Sequence, residues 1–390
     1  VIVHVGAMKS GTTSLQHALY AHRERLTDLG ILVPGRTWRD QADAAWNLRG
    51  RQTSLAGDRS IEGSWQRLVD EIDAWHGTAV ISAELLAPVD GDVVEKLLES
   101  LPSPEIVLSV RDLNRNLPAM WQEVVQNGEV WSWSGFVAAA RARRPRLLFP
   151  DRLTASSRFW SEQDVVEIAR RWSVAGQVHV VTVPGPDAPR EALLERFGEA
   201  IGFSFEDVRT PRPQNASLGV VRTDLLRRLN LALDARDLSF PAGIRLRKHV
   251  LAKKLMPGLV VADERIGLRV EPWVERAANH QVEGLRKLGV SLHGDWSDLT
   301  PVEVDGADPS AVTDDRTAAA AAATHVELRA WLVHRAEANP RQGWGPESVP
   351  EWEPDDAAPA ARACADAVEA LADLVEWAVR RTRARHAARA

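Results

Sequence analysis

Val1-Ile-Val-His-Val5 runs directly into Gly6-Ala-Met-Lys9-Ser10-Gly11-Thr12-Thr13, and the fold turns on how that join is read. The first five residues are apolar and mostly β-branched, as in a parallel strand buried on both faces. After the join, Leu15, Ala18, Leu19, His22, Leu26 and Leu29 recur at helical spacing, and Gly30 stands where a C-terminal cap belongs. Gly6 and Gly11 allow a tight turn and a close approach of the main chain to a ligand. The first N–H groups of a helix have no intrahelical acceptor and favour negative charge in front of them. Lys9 adds a cation, and Ser10, Thr12 and Thr13 add hydroxyls. The segment therefore reads as strand, anion cradle and helix, with a phosphate-like group as its ligand.

The order of residues inside the cradle narrows the ligand. A nucleoside-triphosphate loop of the G-x-x-x-x-G-K-[ST] type carries its lysine after the second glycine. Here Lys9 precedes Gly11, and Thr12 stands in the lysine position. His4-Val-Gly-Ala-Met-Lys-Ser-Gly-Thr-Thr-Ser-Leu-Gln16 resembles the 5′-phosphosulfate loop of the sulfotransferases that use 3′-phosphoadenosine 5′-phosphosulfate (PAPS), most closely their bacterial branch. The resemblance implies a P-loop-like α/β fold. It also implies that Lys9 lies against the oxygen bridging sulfate and 5′-phosphate, and that Ser10, Gly11, Thr12 and Thr13 hold the phosphate. PAPS is then the donor, with no metal required.

PAPS differs from ATP in its 3′-phosphate, which needs a second site. Ile106-Val-Leu-Ser-Val-Arg111-Asp112 ends an apolar strand with an arginine, at the edge where α/β sheets bind ligands. The family motif has an arginine there and a serine eight residues later. Arg111 matches; the eighth position is Ala119. From the residues alone, Arg111 could equally pair with Asp112 or another carboxylate at a strand end. Ala79-Val-Ile-Ser-Ala-Glu84 ends another apolar strand with a carboxylate at the same edge. It resembles the position from which bacterial relatives supply a glutamate base, so Glu84 is the candidate acceptor of the acceptor's proton. His4 is a second candidate base, or a hydrogen-bonded core histidine. Gln214-Asn215-Ala-Ser217-Leu-Gly219 resembles a family segment near the nucleotide, with Asn215 and Ser217 as contacts or helix caps. Arg245, Arg247, Lys248, Lys253 and Lys254 read as a solvated helix face or as further phosphate ligands. Trp121, Trp131 and Trp133 follow Arg111 closely enough to be an acceptor platform or ordinary packing.

Composition limits the alternatives. The 390 residues carry a formal net charge of −6, which gives nucleic acid no electrostatic footing. The single cysteine, Cys364, permits neither an intrachain disulfide nor a cysteine metal site. No apolar run approaches the ~18 residues of a membrane span, and no signal-like segment is visible. A cytoplasmic protein is expected, and a short natural N-terminus is expected ahead of Val1. The fifteen tryptophans against one tyrosine are unusual.

Alternating strand and helix patterns up to about residue 210 predict a mostly parallel sheet with helices on both faces. Strands are predicted at 31–33, 79–82, 106–110 and 178–183, and a long lid-like loop from Trp38 to Gly63. Residues 211–300 read as a helical part completing the core and site, and 301–390 as a helical C-terminal extension, with helices over 317–338 and 359–388. The combined expectation is a sulfotransferase moving a sulfuryl group to a hydroxyl, less readily an amine, of a small molecule or glycan. An ATP-dependent P-loop kinase or NTPase, and a non-catalytic binding protein on the same fold, are the alternatives.

Overall fold

The structure, a computed structural model, describes residues 1–55, 59–101, 103–143, 154–189, 191–205, 217–238, 243–339, 344–355 and 357–387. The chain forms two compact units, each assembled from three separate segments. The first comprises Val1–Met120, Ala138–Gln214 and Arg269–Glu303; the second comprises Trp121–Val137, Asn215–Leu268 and Val304–Ala390.

The first unit is an α/β layer structure. Its strands are β1 (Ile2–His4), β2 (Ile31–Leu32), β3 (Thr78–Ser82), β4 (Glu105–Val110), β5 (Val178–Thr182) and β6 (Ser291–His293). They form one sheet in the order β2-β3-β1-β4-β5-β6, with every neighbouring pair parallel. Alternate residues of each strand feed two apolar layers. Ile2, Val80, Val107 and Val181 face Leu15, Leu19 and Phe197. Those three belong to helices α1 (Thr12–Ala21) and, for Phe197, Ala192–Ile201. Val3, Ile81, Ile106 and Val180 face a layer that includes Leu48, Leu68, Leu97 and Trp172. With both faces covered, the strands carry the near-continuous apolar character seen in the sequence.

Local differences from expectation have local causes. The helix after the cradle is two helices, α1 and α2 (Arg23–Asp28), separated at His22 (φ −110°, ψ 17°). Gly30 ends the second with φ 82°, a left-handed conformation that suits glycine. The expected loop from Trp38 is in its first part a helix, α3 (Trp38–Leu48). The Asp40 carboxylate accepts from the amides of Arg36 and Thr37 at 2.9 and 3.0 Å and so closes its start. Strand β6 was not foreseen, because three residues are too few to show a period.

The second unit is helical. It contains Val220–Asp234, a run of i→i+5 hydrogen bonding over Arg245–Leu255, and the long helices Asp314–Ala338 and Ala360–Ala387. The alanine run supplies Ala320 and Ala321, both fully buried. Among the described residues, no helix is long and apolar enough to cross a membrane.

Candidate active site

Strand β1 sits between β3 and β4; the connection after β1 runs to β2 on one side and the connection after β4 to β5 on the other. That is a topological switch point, where the loops after neighbouring strands part and leave a crevice at the carboxyl edge. The cradle follows β1, Glu84 follows β3 and Arg111 follows β4. Main-chain bonds bring the three segments level: Ala83 donates to His4 O at 3.0 Å, and Ala7 donates to Ser109 O at 2.9 Å. Lys9, Ser10, Gly11, Thr12, Thr13, Glu84 and Arg111 therefore lie on three adjacent strand ends. Neighbouring strands are ~4.8 Å apart, so the ends after β3 and β4 flank the cradle across ~10 Å of sheet.

Glycine is required at Gly6. A Cβ there would stand 2.3 Å from Ser109 Oγ, 2.5 Å from Thr12 Cγ2 and 2.8 Å from His4 Nε2. Gly11 has φ 83° and caps α1 from the left-handed region. Lys9 is also left-handed, with φ 67°, a conformation that costs a non-glycine residue about 1–2 kcal/mol. Such strain is retained where it aims a side chain or amide at a ligand. Lys9 is half-buried, Thr12 is buried and Thr13 is exposed. The amides of Thr12 and Thr13 open α1 and have no intrahelical acceptor.

Ser10 has a different place from its neighbours. It is fully buried, its amide donates to Ala7 O at 3.1 Å, and its hydroxyl donates to the same oxygen at 2.5 Å. The hydroxyl also bonds Ser109 Oγ at 2.7 Å. Ser10 thus shapes the loop from within, while Thr12 and Thr13 open the helix with amides that have no intrahelical acceptor. Met8 O, at the crest, accepts from Gln163 Nε2 at 2.7 Å. Gln163 is itself held by Asn116 and Gln281, both at 2.6 Å. Gln163 and Ser109 were not singled out from sequence. A serine inside the apolar strand Ile-Val-Leu-Ser-Val was the available signal; Gln163 gave none.

His4 is fully enclosed. Its Nδ1 meets Ser82 Oγ at 2.8 Å, its Nε2 meets Ser109 Oγ at 3.0 Å, and its ring packs edge-on against Phe197 at 5.0 Å. Burial pulls its pKa down to about 3, so the ring is neutral at ordinary pH. It is a core strut and has no path to an acceptor. Glu84 is half-buried at the start of the single turn Glu84–Leu86, and its Oε2 accepts from Gln16 Nε2 at 2.6 Å.

Arg111 is not paired with its neighbour. The Asp112 carboxylate is taken by Arg115, through the side chain of Arg115 and through its amide at 3.1 Å. Arg111 Nε is buried with no hydrogen-bond partner among the described residues. Burial first, and the charge of Arg115 second, bring its guanidinium down to about 10 against the opposing attraction of Asp112. A buried guanidinium N–H without an acceptor is a donor that an anion can satisfy. Ala119 has no hydroxyl to offer. Asn116, one turn earlier, presents only a buried acceptor oxygen without a partner, the wrong polarity for phosphate.

Several other candidates have structural partners within the second unit. Trp121 and Trp133 are buried against each other edge-to-face at 5.4 Å, and Trp121 Nε1 donates to Trp131 O at 2.9 Å. They form packing, not an open platform. Ser217 donates to Gln122 Oε1 at 2.8 Å and is not the cap of the following helix, whose first amides go to Asp263. Asn215 lies outside the described residues. The basic run is not a uniformly solvated face: Arg247 is fully buried and bonded to Asn230, and Lys248 pairs with Glu123 at 2.8 Å. Among the described residues no group of three His, Cys, Asp or Glu side chains is placed to hold a metal.

No protein-family model, curated protein or solved structure matches the chain.

Proposed function

We propose that the protein is a PAPS-dependent sulfotransferase acting on a hydroxyl, less readily an amine, of a small-molecule or glycan acceptor. The observation that carries this reading is Arg111, whose buried Nε has no hydrogen-bond partner among the described residues, one strand over from a cradle whose lysine precedes its glycine. A cradle alone fits any phosphate. A second, separate cation whose adjacent carboxylate, Asp112, is hydrogen-bonded by Arg115 fits a nucleotide with two separated phosphates.

The residues fit such a donor in distinct roles. The Gly11, Thr12 and Thr13 amides hold the 5′-phosphate, and Arg111 holds the 3′-phosphate. PAPS, when bound, supplies the activated sulfuryl group. Lys9 neutralises charge on the 5′-phosphate oxygen that is released, the electrostatic stabilisation that transfer to oxygen demands. Glu84 takes the proton from the acceptor hydroxyl as its oxygen forms the new bond.

Thermal melting separates this reading from an ATP-dependent one. Adenosine 3′,5′-bisphosphate without Mg²⁺ is expected to raise the melting temperature, and ATP with Mg²⁺ is expected to leave it unchanged. The reverse pattern would overturn the assignment. Bisphosphate binding without turnover across a broad acceptor panel would instead mark a binding protein.

A further inference from the structure

Gln16 is one turn into α1, the same helix whose first amides form the cradle, and its side chain reaches the end of the neighbouring strand β3. It is largely buried, and its Nε2 donates to Glu84 Oε2 at 2.6 Å and to Ser82 O at 3.2 Å. Both amide hydrogens are therefore committed to the segment that bears the candidate base. One Glu84 oxygen is held by this bond, which leaves the other as the proton acceptor.

The main chain beneath Glu84 is fixed by other groups. Arg49 of α3 donates to Leu85 O at 2.9 Å, Trp172 to Leu86 O at 3.3 Å and Arg171 to Ala87 O at 3.4 Å. Ala83 and Leu86 amides donate to His4 O and Ala83 O, both at 3.0 Å. With the backbone clamped from three sides, Gln16 acts on the carboxylate and not on the turn that carries it.

We infer that Gln16 is the positioning residue for Glu84, and that it ties the orientation of the base to the helix that holds the donor. The role rests on the sulfotransferase reading, with Glu84 as base. A single rigid helix then sets both donor and base, so the distance between them does not depend on a mobile loop.

Two variants test the role. Gln16→Leu removes the donor at similar volume, and kcat is expected to fall about 10- to 100-fold while affinity for adenosine 3′,5′-bisphosphate changes less than about threefold. Gln16→Glu replaces the amide by a carboxylate in hydrogen-bond contact with Glu84, and such a pair holds one proton between its members. The acid limb of the kcat profile is then expected to move up by about one pH unit or more. Arg49 and Arg171, which bond the turn's carbonyls, their charged neighbours Asp90, Arg158, Glu162 and Glu167, and neutral His4 are the same in all the proteins compared. A residue that only filled space would leave the pH profile in place.

A reaction-independent readout is the titration of the Glu84 carboxyl carbon by NMR, which must move upward in Gln16→Glu. If that titration is unmoved in a folded variant, the positioning role is wrong whatever the reaction. If it moves but wild type does not turn over PAPS, the contact stands and the sulfotransferase reading, with the catalytic role built on it, is overturned.

Discussion

Replacing Arg111 by methionine is expected to make the ligand-free protein more stable and the nucleotide site worse. The guanidinium has an ordinary pKa far above neutrality, and burial brings it down to about 10. At neutral pH it is charged in both folded and unfolded chains, so that depression measures the net cost to the fold of its enclosure and of the Arg115 charge, less the Asp112 attraction. At about 1.4 kcal/mol per pH unit, the cost is about 3 kcal/mol. Because the side chain is only partly enclosed, solvent screening reduces the expected relief to about 1–3 kcal/mol. Methionine keeps the length and adds apolar contact without a charge. The midpoint of urea unfolding, without ligand, should therefore rise.

Calorimetric titration gives the other half. Hydrogen bonds to a charged phosphate are worth about 1.5–3 kcal/mol, so the preference for adenosine 3′,5′-bisphosphate over AMP should shrink about 10- to 100-fold in the variant. AMP affinity itself should hardly change, since AMP lacks the group Arg111 meets. A variant that is less stable without ligand, and that keeps its preference for the 3′-phosphate, would refute the argument. Arg111 would then be a structural cation with a partner elsewhere.

Lys9→Ala should retain bisphosphate binding within about tenfold and lose transfer by about a thousandfold or more, read by single-turnover kinetics; near wild-type turnover would sink the lysine's role. Gly6→Ala places a Cβ against Ser109, Thr12 and His4 in a packed interior, and a loss of about 1–3 kcal/mol is expected. An unchanged unfolding midpoint for that variant would contradict the packing described. His4 gives a pH signature. Folded, it stays neutral down to about 3, whereas an unfolded chain protonates it near 6.5. Between those values the unfolded state binds more protons, so stability falls as pH drops, by about 1.4 kcal/mol per pH unit. His4→Asn should thus lose about 2 kcal/mol less than wild type between pH 6 and 4.5, and parallel losses would show that the ring is not held neutral.

The cradle was legible because its demands are written in residue types: glycines where a Cβ collides or φ is positive, and a lysine on the unusual side of Gly11. The strand ends were legible because apolar runs stop at Glu84 and Arg111. Whether Arg111 was paired could not be read, since Asp112 adjoins it in sequence and only the helical start of the next segment turns that carboxylate to Arg115. Ser10 looked like a ligand because its side chain suits phosphate; its inward direction depends on Ser109, 99 residues away. The tryptophans were open to either reading. Platform and packing ask for the same flat apolar side chain, and only the contact of Trp121 with Trp133 decides for packing. Gln163 and β6 left no periodic trace, one being a lone side chain and the other three residues long.

The sheet closes late in the order of synthesis. Strand β5 ends at Thr182 and its partner β6 begins at Ser291, with one whole segment of the helical unit, Asn215–Leu268, made between them. At about 5–20 residues per second, the ribosome takes about 5–20 s to make that stretch. Throughout it, the hydrogen-bonding edge of β5 has no neighbour on that side, and His179 waits for the imidazole of His293 that it meets at 3.0 Å in the finished fold. A nascent chain with an open, apolar strand edge is a substrate for chaperones and for pairing with another copy. Yield from the cell should accordingly respond to elongation rate and chaperone supply, and deletions that remove β6 should aggregate even though every residue of the cradle remains.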